Sequence, residues 1–117
     1  MEIKVVTSIS KYNKDINKKI EAGTLDKAET GLVMTPETFN KVFSPERIKL
    51  LQRIYKNKIR SIYQLAKELN KPYEVVFRNI QYLAGVGIIE IKKKDNKDVP
   101  HLVSTLSIDM FAEEVEA

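Results

Sequence analysis

Residues 61–89, SIYQLAKELNKPYEVVFRNIQYLAGVGII, constrain the fold more than any other stretch of this chain. Ile62, Leu65, Ala66 and Leu69 recur at i, i+3, i+4 and i+7, the spacing of one helical face. Ser61 offers a side-chain oxygen to a free N–H of the first turn. Asn70-Lys71-Pro72 ends the helix, because proline has no N–H and disfavours α geometry in the residue before it. A second helix restarts near Pro72 and buries Val76, Ile80 and Leu83. Gly85 and Gly87 then serve the C-cap and the entry to a β-strand. Two short helices around a tight turn match the helix-turn-helix unit, whose second helix can enter a DNA major groove.

Charge falls in the same place. Residues 35–103 carry fourteen Lys and Arg against seven acids, a balance of +7. Residues 1–34 carry six against five, and residues 104–117 have four acids and no base. A basic segment coincident with a helix-turn-helix is the footprint of a phosphate-binding face; a lysine-rich surface serving solubility is the alternative. A chain of 117 residues, 43% hydrophobic and 31% charged, can bury a real core as a soluble domain. Zero cysteines exclude a disulfide scaffold and cysteine-ligated zinc and fit a reducing cytoplasm. No apolar run reaches the roughly 20 residues of a membrane span, and no signal-peptide profile is visible.

Elsewhere, alternation over residues 2–7 predicts a strand. Ile9, Tyr12, Ile16 and Ile20 form the apolar stripe of a helix with Gly23 as C-cap. Thr35-Pro36-Glu37 and Ser44-Pro45-Glu46 are both helix starts, each with an N-cap residue, proline at the first helical position and an acid in the first turn. The first helix turns Phe39, Val42 and Phe43 inward; the second turns Ile48, Leu51, Ile54 and Tyr55 inward. Ile88–Lys93 and Asp98–Val103 flank the turn-rich Lys94-Asp95-Asn96-Lys97 and predict a hairpin, the wing of a winged helix, with Pro100 restricting its second strand to an edge. Leu106, Ile108 and Met110 alternate as a last strand before an acidic tail. The expected fold is α+β and mainly helical: a strand-helix extension over 1–34, a winged helix-turn-helix over 35–103, and a strand with acidic tail over 104–117.

On the second helix, the face opposite Val76, Ile80 and Leu83 holds Glu74, Arg78, Gln81 and Gly85, flanked by Val75, Phe77 and Tyr82. Arg78 is the leading base reader, since its planar fork can bond guanine O6 and N7 together; a solvated pair with Glu74 is the alternative. Gln81 can pair with adenine. Phe77 can touch a thymine methyl or pack against its own chain, whereas Val75 is expected to pack. Lys71, Tyr73, Ser61, Tyr63 and Lys67 lie where backbone phosphates run. Lys92, Lys93, Lys94 and Lys97 cluster on the hairpin, more than are needed to guard an edge strand. Catalysis has little support: His101 is the single histidine, and no phosphate loop, nucleophile constellation or metal-spaced cluster is visible. No cofactor is implied.

The blocks FNKVFSPERIKLLQRI, SIYQLAKELN, VVFRNIQYL and GVGIIE follow one another in this order. From Met34 to Ile91 the chain thereby resembles small archaeal and bacterial winged helix-turn-helix proteins described as predicted transcriptional regulators, related to the MarR and ArsR groups. The resemblance implies double-stranded DNA as partner, usually a homodimer, and for some relatives an antitoxin-like role beside a toxin protein. Similar sequences often carry Asn and His where Val75 and Phe77 stand here, while Arg78 matches. A protein-interaction module and an RNA binder are the rival functions. Dimerisation is expected through Ile9, Tyr12, Ile16 and Ile20 with Leu106, Ile108 and Met110, unless the strands at 2–7 and 104–111 pair within one subunit.

Overall fold

A computed structural model describes residues 1–7, 25–28 and 31–111. The expected helix over 9–20, its Gly23 cap and the acidic residues after 111 lie outside the described residues. Those described form α+β structure in the order β1 (Glu2–Val5), β2 (Leu25–Ala28), β3 (Gly31–Met34), α1 (Pro36–Val42), α2 (Pro45–Tyr55), α3 (Ile62–Leu69), α4 (Tyr73–Val86), β4 (Ile89–Lys94), β5 (Lys97–Leu102) and β6 (Ser107–Asp109). Two compact units divide the chain: Met1–Ser44 with Thr105–Ala117, and Pro45–Ser104.

The first unit is built on a sheet of order β2-β3-β1-β6. β1 pairs in parallel with both neighbours, β3 and β6, and β2 runs antiparallel to β3. Ile3, Val6, Leu32, Val33 and Met34 are buried. Gly31 stands opposite Glu2, and a Cβ there would come within 1.9 Å of the Glu2 carbonyl oxygen. α1 starts as expected, with Thr35 Oγ1 accepting the Thr38 N–H at 3.3 Å. Val42 is buried on it, and Phe39 and Phe43 are half-buried with ring centroids 4.9 Å apart. Sequence boundaries group this helix with the later ones. Contacts group it with the sheet, which it follows after the single residue Thr35, itself buried.

The second unit packs α2, α3 and α4 with the antiparallel hairpin β4–β5. Leu50, Leu51, Ile54, Leu65, Val76, Ile80, Leu83 and Ile88 are among its buried side chains, each contributing roughly 1.5–3 kcal/mol of transfer free energy. The inward stripe of α2 differs from the expected one. Ile48 is 40% and Tyr55 63% exposed, whereas Leu50, Leu51 and Ile54 are buried. The face actually presented runs 47, 50, 51, 54, so it begins at an arginine that an apolar count passes over. α4 also continues past Gly85 to Val86. Gly87, at φ 103°, makes the left-handed cap alone, and Gly85 is an exposed helical residue.

Candidate nucleic-acid interface

Ser61 caps α3, its Oγ accepting the Gln64 N–H at 3.1 Å. Asn70 closes the helix in the left-handed region at φ 55°, and the Lys71 N–H returns to the Ala66 carbonyl at 3.0 Å. This is the C-terminal motif that satisfies the last carbonyls while turning the chain. Pro72 then precedes α4, and no side chain caps its first turn. The turn is therefore set by two local devices, the left-handed asparagine and the proline.

α4 buries Val76, Ile80, Leu83 and Val86 and leaves Glu74, Arg78 and Gln81 exposed on the far side. Among the described residues Arg78 makes no ion pair, with Glu74 or any other carboxylate. Phe77 is half-buried and stacks on Tyr73 at 5.7 Å between centroids, and Tyr73 meets Tyr63 of α3 at 6.4 Å. Lys67 Nζ lies 5.4 Å over the Tyr63 ring. These contacts make Phe77 part of a three-ring row, with Tyr63 61% and Tyr73 44% exposed. Val75 is half-buried and lines a recess of about 360 Å³ with Leu50, Leu69 and Asn79, where Lys71 pairs with Glu46 at 3.6 Å.

Two residues not singled out in the sequence tie α2 to its neighbours, Arg47 to α4 and Arg53 to α3. Arg47 Nε donates to Asn79 Oδ1 at 2.9 Å, and the guanidinium lies 4.0 Å from the centre of the Tyr82 ring. Arg53 donates to Glu68 of α3 at 2.7 Å. α4 is thus held by the Arg47 contacts as well as by its buried side chains.

On the hairpin, Asp95 and Asn96 both have positive φ, 53° and 67°, which makes a two-residue loop with Lys94 directly opposite Lys97. Lys92 pairs with Glu90 at 3.2 Å and Lys93 with Asp98 at 3.3 Å. Among the described residues the four expected hairpin lysines therefore split into two with acidic partners and two at the tip without. Lys58 and Arg60, also missed in the sequence, lie with the tip pair around one recess. Their signal was the KIR triplet, an apolar residue between two cations. In the first unit, Leu106 is half-buried, and Ile108 and Met110 are exposed around β6, which pairs with β1 of the same chain. Among the described residues no group of three His, Cys, Asp or Glu side chains could hold a metal, and no helix is long and apolar enough to cross a membrane.

The chain is a small α+β protein whose second unit sets two helices about a tight turn and follows them with a basic hairpin. It belongs to the HVO_A0114 family, the match covering residues 42–105 and so the whole of that unit. No curated protein and no solved structure matches it.

Proposed function

We propose that this protein is a winged helix-turn-helix transcriptional regulator that binds double-stranded DNA in a sequence-specific way, as a cytoplasmic homodimer. The observation that carries this reading is the α4 face. It presents Arg78 free of any carboxylate among the described residues, beside Gln81, on a helix whose opposite side is locked into the core. A charged fork that no carboxylate among the described residues satisfies is available to guanine O6 and N7. Tyr63 and Lys67 on α3, with Lys71 and Tyr73 at the turn, suit phosphate contacts, which fix register without reading sequence. Repression follows from occlusion: a dimer seated on two half-sites one helical turn apart blocks the promoter.

The row Tyr63, Tyr73, Phe77 favours a second reading, a protein-interaction module, because exposed aromatic rings anchor protein interfaces. A mobility-shift series on genomic DNA fragments at rising salt separates the two. The DNA reading expects log K to fall linearly with log salt, about 0.9 per neutralised phosphate, and RNA competitor to displace little. No shifted DNA at 50 mM salt refutes it. Sedimentation as a monomer at tens of micromolar refutes the dimer.

A further inference from the structure

The hairpin tip carries a charged feature distinct from the α4 face. The loop at Asp95 and Asn96 makes Lys94 and Lys97 direct cross-strand neighbours, and like charges set opposite one another destabilise a hairpin. Lys58 and Arg60 join them from the α2–α3 connection. Ile59 is buried between these two exposed cations, and the Arg60 N–H is held by Gln64 Oε1 at 2.9 Å. The four cations and Asp95 line one recess of about 460 Å³ over Ile59. Among the described residues none of the four has an ion-pair partner, because Glu90 and Asp98 neutralise Lys92 and Lys93 instead. Solubility is served by charges kept apart and interspersed with acids, not by cations from two segments converging on a cavity.

The geometry points to an oligoanion site at the hairpin tip, built by Lys58, Arg60, Lys94 and Lys97, that takes adjacent phosphate groups. Arg60 supplies a planar fork for two phosphate oxygens, and the three lysines supply mobile point charges. Bound phosphate also relieves the repulsion between Lys94 and Lys97. Successive phosphodiesters of the strand that α4 reads are the expected occupant. That assignment rests on the DNA-binding reading, whereas the site itself does not.

Inorganic pyrophosphate, titrated into the full chain and followed by amide NMR, tests the site. Saturable shifts confined to residues 57–61 and 93–98 are expected, weakened at least about tenfold in Lys58→Ser/Arg60→Ser and unchanged in Lys92→Ser. Asp95→Asn, which removes the one acid without touching a ligand, should tighten binding severalfold. Shifts scattered over all lysines, or a double variant that binds as wild type does, overturn the proposal. A duplex titration across salt identifies the source. Loss of two phosphate contacts lowers the log–log slope by about 1.8, roughly twelvefold over a fourfold salt range. An unchanged slope with pyrophosphate binding lost assigns the site to a free phosphorylated molecule. Pyrophosphate binding in a chain that shifts no DNA refutes the regulator reading and leaves the site standing.

Discussion

Arg78→Ala tests the proposed base reading apart from folding. The side chain is exposed and, among the described residues, holds no carboxylate, and alanine is at least as good a helix former as arginine. Stability should therefore change by less than about 0.5 kcal/mol, roughly 2 °C for a chain of this size. Ile80, two positions along the same helix, is fully buried, so Ile80→Ala should cost about 2–5 kcal/mol and roughly 8–20 °C. On DNA the proposed function expects the contrast to reverse. Losing a bidentate contact to guanine costs about 1–3 kcal/mol, which is roughly a 5- to 150-fold loss of affinity per half-site. Fluorescence anisotropy at fixed salt, on a preferred duplex, its single-base-pair variants and a random duplex, reads that loss directly. It should concentrate on the preferred sequence and erase discrimination at one position per half-site. Arg78→Lys should not restore it, since an ammonium lacks the fork. Equal loss on every duplex would make Arg78 a phosphate contact, and a melting shift above about 5 °C would make it structural; either refutes the assignment.

Arg47→Met keeps the aliphatic stem but removes the bond to Asn79 and the contact with Tyr82. About 2 kcal/mol of stability should be lost, measurable by urea denaturation with an unchanged m-value. Gly31→Ala should destabilise the sheet by about 3 kcal/mol or more, because its Cβ would collide with the Glu2 backbone and not with a movable side chain. Hydrogen exchange should report the loss first at β1 and β3. Asn96→Gly should raise stability by roughly 0.5 kcal/mol, since glycine suits the second left-handed position of this hairpin loop best, and thermal melting reads the gain.

What the sequence made legible was chemistry confined to a few neighbouring residues. Thr35-Pro36, Ser61 and Pro72 act through backbone groups within a turn of themselves, and the helices begin where those residues stand. Val76, Ile80 and Leu83 were visible for the same reason, since their spacing alone puts them on one face. The stripe of α2 was misread because Arg47 sits at its head. A long side chain can lay its stem along an apolar face while its head finds Asn79 and Tyr82, partners more than thirty residues away. β3 left little periodic trace, since three of its consecutive residues are buried and no alternation marks them. Within the candidate interface, the exposed position of Arg78 follows from the helical wheel, but the ring row through Phe77 and the recess at Lys58 and Arg60 depend on which segments meet in space.

The sheet is closed by the two ends of the described chain. Glu2 lies opposite Ser107, and the amino group of Met1 donates to the Thr105 carbonyl at 2.7 Å, across 104 residues of sequence. On a ribosome β1 emerges first, yet one of its two partners is made after the whole of the second unit. With that unit unfolded, closing β6 onto β1 means closing a long random loop. Once it is folded, Pro45 and Ser104 are a fixed distance apart and the free chain to be ordered is far shorter, so the entropy cost falls. Folding of the helical unit thereby lowers the cost of closing the sheet, so β6 is expected to dock onto β1 after that unit has formed.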